Sequence, residues 1–340
     1  MSIENLEQVA QAMVAPGKGI IAVDESTATI KKRMEAVGLE NSEENRRKYR
    51  QLLLTAPGLG EYISGAILFD ETIRQKTDDG RSMVEAMKAA GIIPGIKVDK
   101  GTHPLAGSPG ELITEGLDGL RERLQEYAKL GAQFAKWRAV INIGEDTPSS
   151  AAIEANTHAL ARYAALCQEV GLVPMVEPEI VMDGKDNVQD LNTSYLVHEE
   201  VLHSLFNNLN LFGVMLEGLI LKVSMVIPGK YAPKEDQVDA EEVADATVRV
   251  FKHAVPAAIA GIVFLSGGQT DLQATQHLNL INAQGPHPWP ISFSYGRALV
   301  SAALETWAKD QKANYDAAQK TVVERAKENS LAAQGNWKKK

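Results

Sequence analysis

The sequence predicts an α/β fold, a single (β/α)8 TIM barrel with additional terminal helices, occupying residues 1–340 as one domain. The barrel is expected over about 19–297, with C-terminal helices and a short tail over 298–340. Three observations carry this expectation. Eight short apolar runs alternate with helical segments, their starts recurring about every thirty to forty-five residues. No composition shift or flexible linker divides them. The first run leads into AVDEST, whereas an open doubly wound sheet places a glycine fingerprint after its first strand. Right-handed βαβ crossovers in this number close most naturally on themselves.

Taken in order, Ile3, Leu6, Val9 and Met13 recur at helical spacing until Pro16 and Gly17 stop the segment. GIIAV at 19–23 is the first strand and runs into Asp24 and Glu25; Asp24, Ser26 and Thr27 also suit the cap of the next helix. A charged helical stretch with Tyr49, Leu52 and Leu53 on one side precedes the second strand, GAILF at 65–69. A helix over 81–90 closes at Gly91, and GIKVDKG at 95–101 is the third strand, carrying Lys97. Leu117, Leu120, Leu124 and Tyr127 mark a helix that Gly131 stops, and FAKWRAV at 134–140 is the fourth strand, with Lys136 and Arg138. Thr147 and Pro148 read as the N-cap and first residue of a helix running through Leu160, Tyr163 and Cys167 to Gly171. LVPMVEPEI at 172–180 is the fifth strand, with Glu177 and Glu179. A helix around Leu196, Val201, Leu202 and Leu205 precedes the sixth, LEGLILKVS at 216–224, and one around Val243, Val248 and Phe251 follows it. IAGIVFLSGG at 259–268 and PISFSYGR at 290–297 are the last two, separated by a helix around Leu278 and Ile281. Residues 298–334 continue as helix, and GNWKKK reads as a solvated tail.

A net charge of −9 argues against a generic nucleic-acid or anionic-membrane binder, although a built basic pocket can still hold a phosphate. Cys167 is the only cysteine, which excludes an intrachain disulfide and a cysteine-based metal cluster. The first residues carry Glu4 and Glu7 without a basic leader, so no signal or transit peptide is expected. The longest apolar region, 211–229, holds Glu217 and Lys222 near its middle, each costing about 2.5–3.5 kcal/mol in a bilayer. A cytoplasmic protein is expected.

Lys222 interrupts a run in which Leu219, Ile220, Leu221 and Val223 leave no polar face. Burial alone lowers an ammonium pKa by up to about 3–5 units, which frees a neutral nucleophilic amine near pH 7, as Schiff-base chemistry requires. The structural alternative is a lysine paired with a carboxylate such as Glu217, or one that reaches to the surface. Barrel active sites sit at the carboxyl ends of the strands. Asp24, Lys97, Lys136, Arg138, Glu177, Glu179 and Lys222 all lie in or just after strand cores. If they converge, each carboxylate gains a cationic neighbour and a second cation further depresses the Lys222 pKa. On the last two strands, Ser266, Gly267 and Gly268, with Tyr295, Gly296 and Arg297, offer backbone donors and a guanidinium where barrels most often hold a phosphate. Taken singly, these are ordinary turn glycines. Lys32 and Arg33 offer a weaker second phosphate site. His198 and His203 suggest a zinc helix but lie about 500° apart around it, so no metal site is expected there.

With these residues in view, the chain resembles class I fructose-bisphosphate aldolases over nearly its whole length. The resemblance rests on IIAVDEST, EENRRKYRQLLLTA, GIKVDKG, LAGSPGE, GLDGLRERLQEYAKLGAQFAKWR, VPMVEPEI, LEGLILK, LSGGQ and FSYGRAL. It implies that Lys222 forms an iminium with dihydroxyacetone phosphate and that Glu177 is the acid/base for carbinolamine formation and dehydration. Lys136 would polarise the substrate, Asp24 would take the C4 hydroxyl proton, and Glu179 would hold Lys222 and its neighbours in place. Ser266, Gly267, Gly296 and Arg297 would bind the C1 phosphate, with Lys97, Arg138, Lys32 and Arg33 serving the rest of the substrate and its C6 phosphate. The partners implied are phosphorylated ketose and triose substrates, with no cofactor and no metal, in a homotetramer. Three departures stand out. Val223 replaces the proline usual after the lysine; Ala28 and Thr29 replace a glycine and a serine common in animal members. The terminal tyrosine of the animal and plant tails has no counterpart, the last tyrosine being Tyr315, so enamine protonation is expected to proceed differently or more slowly. A Schiff-base aldolase of another phosphosugar, and a mainly binding or scaffold role, stay open as alternatives.

Overall fold

Eight parallel strands close into a (β/α)8 barrel in the computed structural model, which describes residues 3–339. They are β1 Gly19–Val23, β2 Ile63–Leu68, β3 Ile93–Lys97, β4 Phe134–Ile141, β5 Val173–Ile180, β6 Ile220–Val223, β7 Gly261–Phe264 and β8 Ile291–Tyr295. Each pairs with its neighbours in sequence, and β8 returns to β1 with Ile20 opposite Ser294 and Ile21 opposite Tyr295. The strands are apolar on both faces because one face fills the lumen and the other meets the helices.

Side chains alternate along each strand and so divide into two cores. Ile20, Ile67, Phe134, Met175, Ile220 and Val263 fill the lumen, where Leu6, Ala10 and Met13 of the helix Ile3–Met13 pack against them. Ile21, Val23, Trp137, Val176, Leu221 and Phe264 face outward into a larger core shared with the surrounding helices, as far along the chain as Ala332. Phe134, fully buried, needs the space that Gly95 on β3 provides: a Cβ at Gly95 would lie 2.1 Å from its ring.

Helix starts follow local capping chemistry. Ser82 with Glu85, Asp239 with Glu242 and Thr270 with Gln273 each form a capping box, which satisfies backbone N–H groups that the first turn cannot. Several boundaries differ from the sequence expectation. The helix Leu120–Lys129 begins behind Gly119, whose φ of 65° breaks the helical path, so Leu117 packs on the core from the preceding turn. Ser149, not Thr147, caps the helix Ser150–Glu169: its hydroxyl accepts from Ala152 N–H at 3.2 Å, and its own N–H donates to Glu111 at 2.7 Å. Pro148 therefore precedes the cap, and Thr147 bridges to Gly144. Leu216–Gly218 form a short 3-10 turn, and Leu196 is exposed on its helix. An antiparallel hairpin, Thr102–Pro104 with Leu112–Thr114, follows β3 where no strand was expected. Of the segment read as a solvated tail, Lys340 lies outside the described residues and Trp337 is docked: its N–H donates to Asn279 at 2.8 Å and its ring packs on the core, while Lys338 and Lys339 are exposed. Among the described residues, no helix is long and apolar enough to cross a membrane.

Substituting Gly95→Ala should destabilise the protein by about 1–3 kcal/mol, because the new methyl overlaps the Phe134 ring. Adding Phe134→Leu should recover part of that loss, measured as a positive coupling in urea denaturation.

Candidate active site

The inward face of the strands changes character along its length. On β4, Phe134, Lys136 and Arg138 share a face; on β5, Met175, Glu177 and Glu179 do; on β6, Ile220 and Lys222 do. The lumen is thus apolar towards the amino ends of the strands and charged at their carboxyl ends. There a cavity of about 220 Å³ is lined by Asp24, Lys97, Lys136, Arg138, Glu177, Glu179 and Lys222, together with Ser266, Gly267, Gly296 and Arg297. All of these sequence-selected residues meet in one place.

At the centre, Glu177 stands between two ammonium groups. Its Oε1 lies 3.0 Å from Lys222 Nζ and its Oε2 lies 3.1 Å from Lys136 Nζ. Lys136 Nζ also donates to Asp24 Oδ2 at 2.7 Å. The four side chains form a chain of alternating charge, Asp24–Lys136–Glu177–Lys222, with all but Asp24 under 6% exposed. The partner of Lys222 is therefore Glu177, on the neighbouring strand, while Glu217 is exposed.

Electrostatics follow from this order. Burial favours neutral Asp24, but Lys136, Lys222 and Lys97 outweigh it and hold the carboxyl well below the usual carboxylate range. Burial likewise opposes ionised Glu177, and Lys136, Lys222 and Arg138 overcome it to lower its pKa. Burial alone would neutralise Lys136, yet Asp24, Glu177 and Asp99 raise its pKa and keep it charged. Glu177 is thus an ionised carboxylate in contact with a lysine amine, the arrangement that proton exchange between them needs.

A second layer fixes the rim. Arg138 pairs with Glu179, and Lys97 Nζ lies 3.3 Å from Asp99, which also accepts from the N–H groups of Gly101 and Arg138 at 3.2 and 3.3 Å. Gly296 precedes the helix Arg297–Lys309, whose first N–H groups have no intrahelical acceptor and can face an anion. Arg297 Nη2 donates to Asp183 at 3.0 Å. Gly268 has a φ of 77°, and a Cβ there would lie 2.8 Å from Met182, so both conformation and space call for glycine. Arg33 lines the cavity, but Lys32 is exposed and stands outside its lining.

The cavity also includes Glu25, Ser26, Thr29 and Ser294, which the sequence reading did not select as site residues. Ser294 is 1% exposed and its hydroxyl has no protein partner. Its signal was present in the period-two pattern of ISFSY, where Ser292 and Ser294 interrupt the apolar positions. His198 is buried, its Nδ1 donating to Ser194 O at 2.7 Å, and burial holds its pKa down at about 4; His203 is exposed, so the two do not converge.

The family model for fructose-bisphosphate aldolase class-I matches residues 5–340. The chain belongs to the class-I fructose-bisphosphate aldolase family. A Xanthomonas axonopodis pv. citri protein described as a probable fructose-bisphosphate aldolase class 1 is 67% identical over 99% of this chain and 100% of its own length. The cytosolic fructose-bisphosphate aldolase 4 of Arabidopsis thaliana is 50% identical, over 99% of this chain and 85% of its own. The fructose-bisphosphate aldolase of Plasmodium falciparum, solved in complex with TRAP and a small-molecule inhibitor, superposes with a TM-score of 0.96 at 47% identity. That match covers 99% of this chain and 96% of that one. The enzyme is a carbon–carbon lyase that reversibly cleaves fructose 1,6-bisphosphate to dihydroxyacetone phosphate and glyceraldehyde 3-phosphate. In this aldolase, Val223 continues β6 opposite Phe264 and packs outward into the helix-side core, so the valine preserves the strand beside Lys222. Thr29 lines the cavity and Ala28 does not.

The depressed carboxylates contribute stability that is complete above the ordinary carboxylate range and lost only as pH falls below it. Replacing Lys136→Met strands Asp24 in a buried site and leaves Glu177 with Lys222 alone, and should cost about 3–5 kcal/mol. Adding Asp24→Asn should restore part of the loss in chemical denaturation at neutral pH.

Proposed function

We propose that catalysis runs through a Schiff base on Lys222, with Glu177 as the proton carrier. The observation that carries this reading is the 3.0 Å contact between Lys222 Nζ and Glu177 Oε1 inside the buried end of the barrel. Glu177 takes a proton from Lys222, and the neutral amine adds to the C2 carbonyl of the ketose. Glu177 returns the proton as the carbinolamine hydroxyl leaves as water, giving a protonated imine. The C3–C4 bonding electrons flow into that imine to form an enamine, while Asp24 removes the C4 hydroxyl proton and glyceraldehyde 3-phosphate departs. Protonation of the enamine at C3 and hydrolysis of the imine release dihydroxyacetone phosphate and restore Lys222.

Lys136 holds Asp24 and Glu177 ionised and offers its ammonium to the substrate oxygens; Glu179 fixes Arg138 at the rim. Ser266, Gly267, Gly296 and Arg297 bind the C1 phosphate, a role supported by their position after the seventh and eighth strands and by the exposed helix start at Arg297. Lys97, Arg138 and Arg33 serve the rest of the substrate and its other phosphate. The enzyme works in the cytoplasm, as the cytosolic Arabidopsis relative does by name, and as a homotetramer, for which exposed Leu211 and Phe212 supply apolar surface.

Borohydride reduction in the presence of dihydroxyacetone phosphate should add one triose phosphate to the chain, located at Lys222 by peptide mass spectrometry. Lys222→Met should form no adduct. Labelling at another lysine, or full activity in that variant, would refute the assignment.

A further inference from the structure

Beside the catalytic chain lies a second buried group of charges. Glu25, adjacent to Asp24 and lining the cavity, accepts from Arg33 Nη1 through Oε1, while its Oε2 lies 2.8 Å from Arg50 Nη2. The Glu25 carboxylate is 6% exposed and the Arg50 side chain 3%. Arg50 therefore cannot be a solvated surface cation; it is held under Glu25 against the Tyr49 ring, 5.8 Å from its centroid. Tyr49 in turn stacks on Trp307 at 5.9 Å, on the helix Arg297–Lys309 that begins at the cavity.

Arg33 spends one edge of its guanidinium on Glu25. Among the described residues, its Nε and Nη2 have no hydrogen-bond partner in the protein, and its side chain is 26% exposed beside the cavity. A guanidinium fixed along one edge presents the other as a rigid fork for an anion. Glu25 alone would neutralise that fork. Arg50 balances Glu25 from beneath, so the Arg33–Glu25–Arg50 triad keeps a net charge of about +1 and delivers it to the cavity.

We infer that Arg50 and Glu25 form a positioning couple that aims Arg33 and preserves its charge for a phosphate group of the substrate. This rests on the reading of Arg33 as a phosphate contact. Neither Arg50 nor Glu25 needs to touch the reacting atoms. Arg46 and Arg47, which share the helix Glu43–Leu54 with Arg50, do not share the role: they pair with Glu71, and with Glu44 and Asp78, none of which lines the cavity.

Steady-state kinetics with fructose 1,6-bisphosphate separate the possibilities. Arg33→Gln should raise KM, and Arg50→Met should raise it about tenfold with kcat within about twofold of the parent. In the Arg33→Gln background, Arg50→Met should add nothing, because the triad then has no fork to aim. An unchanged KM in a folded Arg50→Met protein would overturn the inference, as would an equal effect in both backgrounds. An unchanged KM in Arg33→Gln would instead remove the phosphate reading on which it rests. Should Arg50→Met fail to fold, Glu25→Leu with Arg50→Met removes the stranded charge together with its partner and leaves no acceptor for Arg33. That double variant should still raise KM, since Arg33 loses its anchor, and an unchanged KM there overturns the inference equally.

Discussion

Burying an ammonium or a carboxylate costs several kcal/mol per ion, and this barrel buries four of them in one line. Asp24, Lys136, Glu177 and Lys222 are tolerable there only because the charges alternate and each lies within 3.1 Å of an opposite neighbour. The arrangement is also asymmetric. Lys136 touches two carboxylates, whereas Lys222 touches one. Lys136 is thereby pinned as a permanent cation, and it keeps Asp24 and Glu177 ionised. Lys222, at the end of the line, has Glu177 as its single carboxylate partner. The same contacts that make burial possible therefore hold one lysine as a fixed cation and leave the other facing one ionised carboxylate.

The barrel holds this line in place through a rule of two. Side chains on alternate positions of β4, β5 and β6 enter the lumen, apolar near the N-terminal helix and charged at the far end. Phe134 and Met175 lie two residues below Lys136 and Glu177, so the packed lower layer sets the height and direction of the charged one. Precision at the site is thus bought from the core beneath it, including the absence of a side chain at Gly95. Around the rim, Asp99, Glu179 and Glu25 each hold a cation that faces the same cavity.

Much of this was legible in the sequence because a charged residue inside an apolar strand is rarely an accident. Lys136, Glu177 and Lys222 were visible on those grounds, and the strand count gave the barrel. Pairing was less legible. Glu217 is nearer to Lys222 in sequence, but it sits in a 3-10 turn and faces solvent, while Glu177 reaches Lys222 from the neighbouring strand. Local signals also misplaced boundaries where a competing partner intervened: Ser149 outbids Thr147 for the cap because Glu111 binds it. Lys32 and Arg33 are equivalent in composition, yet only Arg33 turns to the cavity, where Glu25 awaits it. The docked Trp337 depends on Asn279, a contact across 58 residues that no local pattern encodes.

The proposed mechanism requires Glu177 to carry the proton that frees Lys222. Single-turnover quenched-flow measurement of imine formation with dihydroxyacetone phosphate tests it most directly, comparing the parent with Glu177→Gln at neutral pH. The amide keeps the shape of the side chain but cannot accept the proton, so the rate of borohydride-trappable adduct formation should fall by about 10²–10⁴. Adduct formation in the folded variant at the rate of the parent would exclude Glu177 as the proton carrier.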